Sequence, residues 1–138
     1  MAQQDSFYPA KRMPRLDRPP VPFVWSSLSP DDTQLFLEDL NLWVGWLVER
    51  YRLDRRIVPE CWRQHPELIE ELSALHLAWQ GSFALTSNYD APLLWHEHFA
   101  NARQRIADWV ARTGCRPTAH RVPPTPGVLT PVRESERS

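Results

Sequence analysis

The stretch from Asp90 to Cys115, DAPLLWHEHFANARQRIADWVARTGC, decides the fold class. Within it Trp95, Phe99, Ala102, Ile106 and Trp109 recur at three- and four-residue intervals. That repeat gathers apolar side chains on one side of an α-helix. Asp90 stands where a helix cap is expected, and Pro92 falls in the first turn, where a missing N–H has no partner to lose. Gly114 supplies the residue that most readily takes the left-handed backbone at a helix end. A helix from about Ala91 to Thr113 is predicted, amphipathic and closed at both ends.

The same reading extends upstream. Leu68, Leu72, Leu75, Trp79 and Phe83 give a stripe for a second helix from about Pro66 to Phe83, with Ser87-Asn88-Tyr89-Asp90 as the loop between the two. Phe36, Leu40, Trp43, Leu47 and Tyr51 give the first, from about Pro30 to Arg52. Ser29 is its cap, Pro30 suits its first position, and Asp31 and Asp32 complement the positive end of its dipole. Leu35, Leu42 and Trp46 add a second apolar strip to this helix, so it is either central or covered by the arm or another subunit. Three amphipathic helices with short connections predict an all-α, antiparallel three-helix bundle.

Composition agrees. Gly is scarce at four residues and β-branched runs are nearly absent, which argues against a sheet. Of the fourteen prolines, five lie in residues 1–28 and five in 115–138, and Pro30, Pro59, Pro66 and Pro92 all fall where a helix can begin. The chain therefore divides into a Pro-rich arm (1–28), a helical domain (29–120) and a tail (121–138) too polar and Pro-rich to build a core, expected to be disordered. The arm segment Val21-Pro22-Phe23-Val24-Trp25 is too apolar for a free tail and is expected to lie across a helical face, with docking to a partner as the alternative.

Residues 29–114 carry eight bases and thirteen acids, whereas each terminal segment is mildly basic. An acidic domain with basic ends is not the footprint of a strong nucleic-acid binder. No segment resembles a signal peptide and charges interrupt every apolar run, so a cytoplasmic protein with no membrane span and reduced cysteines is expected.

Two short pairs carry the chemistry. Cys61 and His65 precede the second helix, and Cys115 and His120 follow the third. An antiparallel pairing of those helices brings the start of one beside the end of the other, and so gathers all four. Thiolate and imidazole ligands suit zinc, which two of each would enclose in a closed structural site. Neither internal spacing is that of a zinc knuckle, so the expectation rests on placement. Three competing readings remain: Cys61 as a small buried apolar residue with Cys115 a free thiol, His65 as a simple helix cap, and a Cys61–Cys115 disulfide. If one histidine is not a ligand, an open position would hold water and permit hydrolytic chemistry.

Other groups read as structural. His76 borders the second stripe and is expected in the core with a hydrogen bond; His96 and His98 point in different directions, with His98 nearer the apolar side. Arg50, Arg52, Arg55 and Arg56 crowd the end of the first helix, where cations complement the dipole; they are also the candidate anion or nucleic-acid patch, together with Lys11, Arg12, Arg15 and Arg18 of the arm. No Gly-rich phosphate loop, nucleophile elbow or His-Glu-x-x-His is present, so no catalytic residue and no small-molecule substrate are inferred.

The run Leu42-Trp43-Val44-Gly45-Trp46-Leu47, the segment Arg55-Arg56-Ile57-Val58-Pro59-Glu60-Cys61-Trp62 with His65-Pro66, Glu71-Leu72-Ser73-Ala74-Leu75-His76 with Trp79, Trp95-His96, and Thr113-Gly114-Cys115-Arg116 with His120 form a pattern over about residues 30–121. It resembles an uncharacterised family of small Trp-rich actinobacterial proteins, often encoded on plasmids, integrative conjugative elements and phages. The resemblance implies a setting of mobile DNA and no particular activity. The expectation from the sequence is a non-enzymatic, zinc-stabilised helical module that binds a protein partner or a second copy. A nucleic-acid accessory role in replication or transfer, and a small metal-dependent hydrolase, are the alternatives.

Overall fold

A computed structural model describes residues 20–115. Among them the chain forms three α-helices: α1 (Pro30–Tyr51), α2 (Pro66–Ser82) and α3 (Ala91–Thr113). Single 3-10 turns at Trp25–Ser27 and Trp62–Gln64 precede α1 and α2. The fold is the all-α three-helix bundle, with helix ends within a residue of those expected. The disordered tail expected at 121–138, the arm before residue 20 and His120 lie outside the described residues.

The ends of the helices follow from local chemistry. The Ser29 side chain accepts the Asp32 amide at 3.1 Å, three residues on and past Pro30, which has no N–H to give. Asp90 occupies the cap position of α3, but its side chain accepts no backbone hydrogen bond. Its backbone is helical, with φ −95° and ψ 0°, rather than extended as at Ser29, and Pro92 removes one of the two donors a cap usually reaches. Gly114 takes the expected left-handed conformation at the end of α3, with φ 77°. At the end of α1 this conformation falls on Arg52, with φ 53°, which lets the Leu53 amide turn back to the Val48 carbonyl at 3.0 Å. Leu53 and Val58 are thereby folded inward to join the core.

Helices α2 and α3 form the antiparallel hairpin on which the rest is built. Leu68, Leu72, Leu75 and Trp79 face Trp95, Phe99, Ala102, Ile106 and Val110 in one buried cluster. The Trp95 indole N–H donates to the Leu75 carbonyl at 3.2 Å, which satisfies a polar group fully buried between the helices. Nearer the other end, Arg105 Nε donates to both Glu71 oxygens at 3.0 and 3.1 Å. Val110, rather than Trp109, completes the α3 stripe. Trp109 sits at its edge above Glu67, Glu70, Glu71 and Ala74, with the Arg112 guanidinium over its ring at 5.1 Å.

Helix α1 closes the hairpin with indoles. Trp43 is fully buried, stacks on His76 at 4.7 Å and meets Trp79 at 6.0 Å, while Trp46 packs on Trp79 at 5.3 Å. Tyr51, at its end, contacts Trp95 and Phe99 at the start of α3. The apolar arm segment lies on this assembly as expected, though only in part. Phe23 and Trp25 pack against Phe36, while Val21 and Val24 face outward.

His76 is the core histidine expected, with Gln80 Nε2 within 3.2 Å of its Nε2. Burial pushes its pKa from an ordinary 6.5 down to about 4, so the ring is neutral in the fold at pH 7. Below about pH 6.5 the unfolded chain gains a proton that the fold refuses. Stability is therefore complete above 6.5 and falls as pH drops toward about 4, by about 3 kcal/mol. His76→Phe, which keeps a ring on Trp43, is expected to flatten that window. Urea unfolding of both proteins across it checks this, and equal slopes would contradict it.

Gly45 lies mid-helix on the exposed side of α1, where an added methyl meets nothing within 4 Å. Gly45→Ala is expected to stabilise the chain by about 0.5–1 kcal/mol in the same assay.

Candidate metal centre

The hairpin determines where the site lies. Because α2 and α3 run antiparallel, the residues just before one and just after the other share one end of the bundle. Cys61 and His65 come from the first side and Cys115 from the second.

Each ligand is held by its own piece of backbone. The Trp62 amide donates to the Pro59 carbonyl, Gln64 to Cys61, and His65 to Trp62, so the turn is wound tightly from Pro59 to His65. Trp62, only 5% exposed, anchors that turn in the core. His65 then opens α2 with its carbonyl accepting the Leu68 and Ile69 amides. Its side chain makes no capping hydrogen bond, so the helix-cap reading of this residue does not hold: the ring turns instead toward the two thiols. On the other side the left-handed Gly114 reverses the chain, and the Thr113 hydroxyl accepts the Cys115 amide at 3.3 Å.

The three side chains converge. His65 Nε2 lies 3.5 Å from Cys61 Sγ and 3.2 Å from Cys115 Sγ, and the two sulfurs are 3.6 Å apart. They are close enough to bind a metal ion. His65 is fully buried and Cys115 nearly so, while Cys61 is half-buried and opens the site to solvent. Neither cysteine is in a disulfide. Without a cation Cys61 resists ionising: burial, and then the Cys115 thiol beside it, push it up to about 11. A bound dication reverses that preference, because it stabilises thiolate directly.

His120, the fourth expected ligand, lies outside the described residues, five positions beyond Cys115. No further carboxylate, thiol or imidazole joins the group among the described residues.

The remaining candidates are not part of the ligand group. Arg50, Arg52, Arg55 and Arg56 are all exposed near the end of α1, and Arg55 is engaged by Glu60 at 3.1 Å. The arm bases Lys11, Arg12, Arg15 and Arg18 lie outside the described residues. His98 is exposed and does not pack on the stripe. The histidine with a cross-helix role is His96, which sequence reading left unassigned. Its Nδ1 donates to the Pro92 carbonyl at 2.7 Å, leaving Nε2 to accept the Tyr51 hydroxyl at 2.9 Å. The i, i+4 step from a helical proline to a histidine was the only sequence hint of this clamp. No helix among the described residues is long and apolar enough to cross a membrane.

Comparison with family models, with curated proteins and with solved structures finds no match to the chain.

Proposed function

We propose that this chain is a non-enzymatic helical interaction module whose hairpin ends are tied by a structural zinc ion. The observation that carries the zinc reading is the spacing of the three ligand atoms. Zinc bonds to sulfur at about 2.3 Å and to imidazole nitrogen at about 2.0 Å, so a tetrahedral ion separates its sulfurs by about 3.8 Å and sulfur from nitrogen by about 3.5 Å. The separations of 3.6, 3.5 and 3.2 Å lie close to that pattern. The fourth position belongs to His120 in this reading, which closes the site. Closure makes the ion structural rather than catalytic, because no coordination position remains for water.

The interaction half rests on apolar surface left uncovered. Leu85 and Leu93 are 78% and 68% exposed, with Tyr89 between them, at the loop end of the hairpin. Leu35, Val21 and Val24 are exposed around the start of α1. A partner protein or a second copy is the chemistry that such surface fits. A mobile-DNA setting rests on the family resemblance alone. The arginines give the nucleic-acid alternative little support, since the domain they belong to is acidic and one of them is engaged by Glu60.

Purified full-length protein is expected to carry about one zinc per chain. Cys61→Ser and Cys115→Ser are each expected to lose the metal and to lower the melting temperature by more than about 10 °C. Metal analysis with thermal melts checks this; no zinc, together with unchanged melting in both variants, removes the reading. For the interaction half, light scattering coupled to size exclusion is expected to show a mass above one chain, alone or with a partner. Leu85→Glu with Leu93→Glu should return it to one chain. A strict monomer in both forms that captures no partner contradicts the proposal.

A further inference from the structure

The two sulfurs that face the metal also face each other. Cys61 Sγ and Cys115 Sγ are 3.6 Å apart, no disulfide joins them, and they stand fifty-four positions apart in sequence. A disulfide needs its sulfurs at about 2.05 Å, so bond formation asks each sulfur to move by less than about 1 Å, within the reach of side-chain rotation. The environment is also asymmetric. Cys61 stands half-buried at the mouth of the site, whereas Cys115 is 8% exposed behind it. One sulfur is open to a small oxidant, and the other is placed to resolve what forms.

We propose that Cys61 and Cys115 form a peroxide-reactive dithiol that exchanges the bound metal for a disulfide at the same point in the fold. The metal half rests on the zinc reading above; the dithiol half rests only on the sulfur separation.

The chemistry balances with hydrogen peroxide as oxidant. The Cys61 sulfur attacks one peroxide oxygen, the O–O bond breaks, and the departing hydroxide takes a proton and leaves as water. Cys61 is then a sulfenic acid. The Cys115 sulfur attacks the Cys61 sulfur, the S–O bond breaks, and the second oxygen leaves as water with a proton from solvent, since a metal-bound Cys115 carries none. In sum, two zinc-bound thiolates, one peroxide and two protons from solvent give one disulfide, two waters and a released zinc ion. An external dithiol reverses the change by thiol–disulfide exchange. With both sulfurs committed to each other, zinc retains only imidazole ligands and is released, since a zinc site of this kind needs its thiolates.

The consequence separates this device from simple oxidative damage. Damage to a metal site unties the fold, whereas here a covalent tie replaces the metal tie between the same two chain ends. The hairpin stays closed in both states, and what changes is the metal and the surface around Cys61.

The test uses reduced, zinc-loaded full-length protein treated with one equivalent of hydrogen peroxide. Expected are the loss of both thiols together, a monomer mass lower by two hydrogens, a linked peptide joining Cys61 to Cys115, and release of the zinc. A chelator should lower the melting temperature of the reduced protein and leave that of the oxidised protein unchanged. In Cys115→Ser the remaining Cys61 should stop at a sulfenic acid that a dione reagent traps. Oxidation that links two chains, or that adds oxygen to one cysteine while the other stays free, overturns the proposal, as does zinc-loaded protein whose thiols survive the treatment. Protein that never held zinc but still closes the Cys61–Cys115 bond supports the dithiol and removes only the metal reading.

Discussion

The antiparallel pairing of α2 with α3 is the constraint from which the other features follow. Its energy comes from burying Leu68, Leu72, Leu75 and Trp79 against Trp95, Phe99, Ala102, Ile106 and Val110. Burying side chains of this size contributes roughly 1.5–3 kcal/mol each, against the entropy of ordering the chain. The pairing also has a geometric result that no local sequence feature supplies. It places the turn that begins at Cys61 beside the chain that leaves α3 at Cys115, although more than fifty residues separate them in sequence. The site is thus a product of topology: the two thiols and the imidazole need only occupy the hairpin's open end.

Helix α1 and the arm add area rather than direction. Trp43, stacked on a neutral His76, fills the space above the hairpin, and Tyr51 ties the end of α1 to the start of α3 through His96. Burial among these rings is what keeps His76 uncharged. The tilt of Phe23 and Trp25 onto Phe36 extends the same aromatic layer outward, where it ends in exposed Val21 and Leu35. The surface therefore carries apolar area at the start of α1 and at the loop end of the hairpin.

Much of this was legible in the residues themselves. Helix limits followed from Ser29, Pro30, Pro66 and Gly114, because capping and proline chemistry act within a few residues. The convergence of Cys61, His65 and Cys115 was legible because it needed only helix direction. Finer points were not. Trp109 and Val110 both continue the α3 repeat, and only the position of α2 decides that the smaller residue faces inward. Asp90 has the right residue type for a cap, yet Pro92 removes a donor it would use. His96 and His98 are indistinguishable by apolar periodicity alone, and the choice is made by Tyr51, forty-five residues away from His96.

The proposed centre is two thiolates and an imidazole around one tetrahedral ion. Cobalt(II), which follows zinc in geometry but absorbs visible light, reads this directly when titrated into the reduced, metal-free full-length protein. The account predicts intense tetrahedral ligand-field bands, with sulfur-to-metal charge transfer that saturates at about one equivalent and weakens in Cys61→Ser and in Cys115→Ser alike. A weak, octahedral spectrum, or one indifferent to both substitutions, would contradict it.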